Sequence, residues 1–215
     1  MSVMVISDSI YFLQGSSNYP LGGNVTCLLA ADMVGIPDYF DYLISSKKTK
    51  VLVISVADYS MLLTIISYAA HHKTLRIIIE IASIVAVPVI NVCGILIVHR
   101  KLSREILIEL VLYGKLTRQY PFQVNFDRLA GRSHYNTFRT LLFDVSGRFS
   151  MPEKTISRHK CLLAREMFLE GINSAVQLRL MRLYMLIYSI REEGRESRMT
   201  MAIGTLPDYL AIVDR

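Results

Sequence analysis

Two long apolar runs dominate the pattern of hydrophobic and polar positions along the chain. The first covers Val51 to Ala70 with a single charged residue, Asp58, and the second covers Ile77 to Val98 with only Glu80. About twenty apolar residues at ~1.5 Å rise per residue match a hydrocarbon core ~30 Å thick. The short segment between the runs suits a tight turn. The pattern therefore predicts a hairpin of two membrane-spanning helices.

The basic residues that flank these runs predict an orientation in the membrane. One side of the hairpin carries six basic residues and the connecting loop carries two. The six are Lys47, Lys48, Lys50, Arg100, Lys101 and Arg104, and the two are Lys73 and Arg76. The positive-inside tendency then predicts a cytoplasmic N-terminus, with the plasma membrane as the expected location. The alternative is that both runs form a buried core, because Val and Ile are abundant and Pro88 interrupts the second run.

A third apolar region, Cys161 to Ile190, is interrupted by charges. Two of them, Arg179 and Arg182, lie three residues apart and so share one helix face. Two arginines in mid-membrane would together cost roughly 5–7 kcal/mol, so the region predicts either an interfacial helix or a span lined by other helices or water. The predicted fold class is all-α: a membrane helical hairpin plus a third amphipathic or spanning helix.

These patterns divide the chain into five segments. They are an N-terminal cytoplasmic segment (1–50), the two-helix membrane hairpin (51–98), a basic cytoplasmic segment (99–160), the third apolar helix (161–190) and a tail (191–215). The composition, with 52% hydrophobic residues, excludes a disordered chain. Three distant cysteines exclude a disulfide scaffold.

The positive charge is concentrated beside the second apolar run. The chain carries a net charge of +6, and residues 99–165 alone hold thirteen basic and five acidic residues. Aromatic residues alternate with these cations, a pattern also found in RNA-binding segments. Basic residues next to a membrane favour anionic lipid instead. The expected partners are therefore the lipid bilayer and anionic lipid headgroups. A homo-oligomer is left open, and no nucleic acid is expected.

The sequence contains no recognisable catalytic motif. Phosphate-binding glycine loops, zinc-protease helices and nucleophile elbows are all missing from it. We expect no enzymatic activity, no catalytic residue, no cofactor and no metal. Polar groups inside apolar surroundings are the candidate functional residues, because a charge at the bilayer centre costs ~2.5–3.5 kcal/mol. These candidate intramembrane residues are Asp58, Glu80, Asn91, Arg179 and Arg182.

Two stretches of the chain resemble insect gustatory receptors, a seven-span chemoreceptor family. They are IVHRKLSREILIELVLYGKLTRQY, which ends at Tyr120, and MFLEGINSAVQLRLMRLYMLIYSI, which ends at Ile190. The resemblance implies a chemosensory (taste) receptor that acts in signal transduction as a ligand-gated cation channel. The family's C-terminal Thr-Tyr and Gln-Phe signature is missing, so we expect part of such a receptor, a non-conducting fragment.

Two alternatives to a receptor are kept open. One is a small orphan or viral-type membrane protein that acts as a scaffold or an oligomeric pore. The other is a soluble α-rich interaction domain whose apolar runs form its core.

Overall fold

The apolar runs form strands and buried helices of an α/β fold in a computed structural model, which describes residues 2–18, 24–33, 37–82, 87–99, 104–113, 122–133, 135 and 152–192. The strands are β1 (Val3–Ser7), β2 (Val25–Leu29), β3 (Val51–Ser55), β4 (Arg76–Ile81), β5 (Val89–Val92), β6 (Ile95–His99) and β7 (Phe122–Gln123). The helices are α1 (Ile10–Ser17), α2 (Pro37–Ser46), α3 (Tyr59–Ala69), α4 (Arg104–Tyr113), α5 (Phe126–Ala130), α6 (Glu153–Glu166) and α7 (Ser174–Glu192), and a 3-10 helix covers Ala30–Met33.

The strands form one mixed sheet in the order β2-β1-β3-β4-β6-β5-β7. Strands β2, β1, β3, β4 and β6 run parallel, whereas β5 is antiparallel to β6. The chain moves outward from β1 to β2 and then returns to β3 on the other side of β1. In open α/β sheets, the crevice beyond the carboxyl ends of strands at such a reversal is the usual place for a ligand.

Helices cover both faces of the sheet. Alternate residues of β1, such as Met4 and Ile6, belong to a core shared with α2, α3 and α7. Their neighbours, such as Val3 and Val5, pack in a second core with α1 and α4. Because both faces are covered, the central strands β1 and β3 are apolar up to their last residues, Ser7 and Ser55, and show no alternation of polar and apolar residues. Strands β1 and β3 are buried along their whole lengths.

The first apolar run is a strand followed by a helix. It divides at Asp58 into β3 and α3, and seven of the eleven residues of α3 are buried. Helix α3 lies in the same core as the sheet and also packs against α7. A helix buried on most sides is apolar nearly all round, which is also the pattern of a membrane span. The prediction of a spanning helix was therefore wrong here.

The second apolar run is three short strands. It contains most of β4, then β5 and β6, which form a hairpin with a two-residue loop at Cys93 and Gly94. Both loop residues have positive φ, 49° and 84°, as a type I′ turn requires. Pro88, which interrupts the second apolar run, directly precedes β5.

Within the described residues, no helix is long and apolar enough to cross a membrane. The all-α fold class, the membrane hairpin and the spanning form of the third helix were therefore wrong. So were the predictions of a membrane receptor with a taste function, of a plasma-membrane location and of a cytoplasmic N-terminus, because all of them assumed spanning helices. The structure fits better the alternative in which the apolar runs form the core of an interaction domain.

Candidate functional site

The carboxyl ends of β1 and β3 are held together by short polar contacts. The buried Ser7 hydroxyl donates to the carbonyl of Ser55 across the two strands, at 2.6 Å. The Asp8 carboxylate accepts hydrogen bonds from the backbone N–H groups of Ala57 at 2.6 Å and Asp58 at 3.3 Å. One carboxylate therefore joins the loop after β1 to the loop after β3, at the reversal of strand order.

Asp58, predicted as an intramembrane charge, is an exposed helix cap. Its Oδ1 atom accepts hydrogen bonds from the Met61 backbone N–H at 2.8 Å and the Ser60 hydroxyl at 2.9 Å, at the start of α3. The Met61 N–H is the largest cause that holds the pKa of the Asp58 carboxyl below its ordinary value. An N-cap satisfies N–H groups that the first helical turn leaves unpaired. The carboxylate therefore has a structural role.

Tyr59, which follows Asp58 in the chain, lies next to both predicted arginines of α7. The Tyr59 hydroxyl donates a hydrogen bond to the Arg179 carbonyl, and the Arg179 guanidinium carbon lies 5.8 Å from the centre of the Tyr59 ring. Burial raises the pKa of the Tyr59 hydroxyl, and the charges of Arg182 and Arg179 offset part of that rise. The structure thus gathers Asp58, Arg179 and Arg182 where α7 crosses the start of α3. No pattern in the sequence indicates a role for Tyr59.

The other two predicted polar residues lie on the strands. Glu80 is buried on β4, opposite Val98 of β6. Asn91 on β5 accepts the Gly94 backbone N–H at its Oδ1 atom, at 2.8 Å, and so holds the tight turn before β6. The predicted residues therefore do not form one site, and Asn91 has a local structural role.

A basic cavity of about 400 Å³ lies where β3 and β4 begin. It is lined by Lys50, Lys73, Thr74, Leu75, Arg76, Asn91, Gly94 and Leu96. The Arg76 guanidinium is fixed by a 2.8 Å hydrogen bond to the carbonyl of Val111 in α4. The cavity has three cationic side chains and no acidic one in its lining, so its electrostatic character is positive.

Helix α6 presents a second positive surface, which is more regular. Lys154, Arg158 and Arg165 are exposed. Spacings of four and seven residues align them on one side of a helix. Ser157 and Cys161 are exposed on the same side. On the opposite side Leu163 is buried, and Ala164, seven residues after Ser157, is buried at the edge of this face near the end of the helix. None of the three cations forms an ion pair within the described part of the chain. We call this surface, Lys154, Ser157, Arg158, Cys161 and Arg165, the α6 basic face.

The turn after α6 and the start of α7 are well defined. Phe168 and Gly171 both have positive φ, 59° and 75°. The Asn173 side chain accepts the Ala175 backbone N–H at 2.9 Å and so caps α7. The Lys160 ammonium donates to the Ser174 hydroxyl, which ties α6 to α7. Since α7 packs on α3, the position of α6 is coupled to the main sheet.

Over the described ranges, no group of three or more His, Cys, Asp or Glu side chains is arranged to hold a metal ion. Comparison with known proteins returned no matching family, curated protein or solved structure. These comparisons do not bear on the resemblance to gustatory receptors. The receptor function inferred from that resemblance does not agree with the fold. Function has to be inferred from the site geometry.

Proposed function

We propose that this protein binds double-stranded DNA through the α6 basic face, in a binding rather than a catalytic role. The observation that carries this proposal is the alignment of Lys154, Arg158 and Arg165 along the exposed side of one helix. At ~1.5 Å per residue α6 is about 21 Å long, and the major groove of B-DNA, about 12 Å wide, admits an α-helix.

The side chains of the α6 basic face can contact both the phosphates and the base edges of DNA. Lysine and arginine pair with phosphates or with guanine edges, and a serine hydroxyl such as that of Ser157 bonds either phosphates or bases. The first turn contributes less, because it carries the acidic Glu153 and its Thr155 N–H is already bonded to the Pro152 carbonyl. The major groove of double-stranded RNA is too narrow for a helix, which favours DNA.

The sequence-based preference for anionic lipid depended on a neighbouring span. Without that span, the reason to prefer lipid over nucleic acid is gone. A helix that lies in a lipid interface also needs a broad apolar face beside its cations. Leu162 is the single large apolar residue of α6 that is exposed, and its exposure is only 38%. The α6 basic face is thus better suited to a polar, charged groove than to a bilayer.

The test is duplex binding by fluorescence anisotropy, with a labelled random-sequence DNA and a series of salt concentrations. The double variant Lys154→Gln/Arg158→Gln removes two charges from the face. We expect it to weaken binding at least about tenfold and to reduce the slope of log K against log salt by about 1–2. The matched control is Lys47→Gln/Lys48→Gln, which removes two exposed charges after α2. We expect it to change affinity by less than about threefold.

Two outcomes would overturn the proposal. In one, both double variants lose the same affinity, which indicates a general charge effect. In the other, the wild type does not bind DNA but binds vesicles of phosphatidylcholine with phosphatidylserine, and Lys154→Gln/Arg158→Gln abolishes that binding. Circular dichroism of each variant confirms that the fold is retained.

A further inference from the structure

Strand β2 is the outer edge of the sheet in the part of the chain that the structure describes. The Val3 N–H donates to the Asn24 carbonyl at 3.0 Å, and Val3 pairs with Val25 in register. In a parallel ladder with this register, the backbone groups of Thr26 and Leu28 face β1. The N–H and C=O groups of Val25, Cys27 and Leu29 therefore point outward.

This edge has none of the usual devices that prevent pairing with another strand. Edge strands are normally protected by charged side chains, prolines or bulges. The sequence of β2, Val25–Leu29, has no charge and no proline, and its five residues pair with β1 without a bulge. The Cys27 thiol donates to the Leu13 carbonyl of α1 at 3.4 Å, so it is directed inward against the helix. As far as the described residues show, the outward backbone groups are left for a further strand.

One helix beside this edge is uncharged and partly apolar, and the charge next to β2 is that of the exposed Asp32 in the following 3-10 helix. Helix α1, which packs against β2, contains no charged residue. It exposes two large apolar side chains, Ile10 at 56% and Tyr11 at 86%. The whole chain carries a net charge of +6, so two copies repel each other on average. A contact through α1 and β2 brings no charged side chain of these two elements together.

The pattern of outward groups is self-complementary. Val25, Cys27 and Leu29 are spaced evenly about Cys27, so a two-fold axis through Cys27 places outward N–H groups opposite outward C=O groups. We propose that β2 pairs antiparallel with β2 of a second copy of this chain, which joins the two sheets into one. Cys27 then exchanges both backbone hydrogen bonds with the partner's Cys27, and Val25 does so with the partner's Leu29. About six hydrogen bonds form, with the two Cys27 Cα atoms about 5.5 Å apart.

The test measures the mass of the full chain by sedimentation velocity over a concentration series. The variant Cys27→Pro removes an N–H that points outward, which an edge strand tolerates. We expect a dimer for the wild type and a monomer for Cys27→Pro, with unchanged circular dichroism. The matched control Cys27→Ser keeps the N–H and stays dimeric. Should Cys27→Pro fail to fold, Val25→Lys places a charge on the edge without removing any backbone donor and is expected to be monomeric.

Amide hydrogen exchange at single-residue resolution locates the contact. In the dimer, we expect slow exchange at Cys27 and Leu29, whose N–H groups are outward. On dilution to monomer these two amides lose protection, whereas Thr26 and Leu28 keep theirs through β1. A dimer that Cys27→Pro does not dissociate overturns the pairing. Protection of Cys27 in a chain that stays monomeric also overturns it, since a segment of the same chain then covers β2. A monomer with an unprotected Cys27 amide overturns it as well.

Discussion

The Oδ2 atom of Asp8 lies 2.6 Å from the backbone nitrogen of Ala57, and this hydrogen bond connects residues 49 positions apart in the chain. The same oxygen also accepts from the backbone N–H of Asp58. The contact fixes the loop after β3, and with it the start of α3, to the end of β1. One exposed side chain therefore fixes the loop after β3, next to the buried Ser7–Ser55 hydrogen bond between the strands.

Removal of this side chain should destabilise the fold. A hydrogen bond to a charged group contributes about 1.5–3 kcal/mol when well shielded, and less where water competes. We expect Asp8→Ala to lower the free energy of unfolding by about 1–2 kcal/mol, measured by urea denaturation. Asp32→Ala, in the exposed 3-10 helix, is the control and should cost about 0.5 kcal/mol or less. Equal effects of the two substitutions would contradict this role of Asp8.

The N-cap of α3 should make stability depend on acid pH. Hydrogen bonds, first that from Met61, hold the pKa of Asp58 in the folded state below its ordinary value. Its contribution is therefore complete above the unfolded value of about 3.9 and is lost as the pH falls through the lower folded value. The variant Asp58→Asn keeps an uncharged cap that does not titrate in this range.

Urea unfolding of the wild type and Asp58→Asn from pH 7 to pH 3 checks this expectation. The wild type should lose stability relative to Asp58→Asn below about pH 4. Asp58→Ala removes the cap altogether and should be about 1 kcal/mol less stable than the wild type at pH 7. A difference between wild type and Asp58→Asn that stays constant with pH would show that this carboxylate does not contribute as a cap.

Two tyrosines should respond in opposite ways to the same chemical change. The Tyr184 hydroxyl is fully buried and has no hydrogen-bond partner among the described residues, whereas the Tyr59 hydroxyl donates to the Arg179 carbonyl. A buried hydroxyl without a partner costs about 1–3 kcal/mol, and a satisfied one contributes about 1 kcal/mol.

We therefore expect Tyr184→Phe to leave the free energy of unfolding unchanged or to raise it by about 1 kcal/mol. Tyr59→Phe should lower it by about 1 kcal/mol and weaken the contact between α3 and α7. Urea denaturation of both variants at pH 7 provides the comparison. A loss of stability in Tyr184→Phe as large as that in Tyr59→Phe would mean that the Tyr184 hydroxyl is satisfied.

Two glycines should also respond in opposite ways to the same substitution, alanine. Gly94 has φ +84° in the turn between β5 and β6, whereas Gly15 lies within α1 and a Cβ there would meet nothing within 4 Å. Gly94→Ala should destabilise the protein by about 1 kcal/mol or more, because L side chains avoid that conformation. Gly15→Ala should stabilise it by about 0.5–1 kcal/mol. Thermal unfolding of both variants tests the signs, and a stabilised Gly94→Ala would contradict the turn geometry.

The sequence indicated which residues are apolar and buried, but not whether they form parallel strands or membrane spans. Every residue of β3, Val51–Ser55, is buried in a parallel strand covered on both faces, and such a strand has the hydropathy of a membrane span. Two local signals distinguish the alternatives. They are Asp58, the N-cap at which α3 begins, and Gly94, which marks a two-residue turn.

The grouping of candidate residues depends on contacts that local patterns do not contain. Asp58 and Arg179 come together because α7 packs across α3, more than a hundred residues further along the chain. Periodicity reports which side of a helix is apolar, but not which helix covers it. By contrast, the excess of cations in residues 99–165 was visible in the sequence, and α6 displays part of it on one exposed side.

The packing of α7 on α3 has a consequence for biosynthesis. Helix α3 is complete at Ala69, but α7 begins only at Ser174. At about 5–20 residues per second, a ribosome needs roughly 5–20 seconds to make the intervening chain. During that interval the nascent protein carries an apolar helix that lacks its outer cover, which is the kind of surface that chaperones bind.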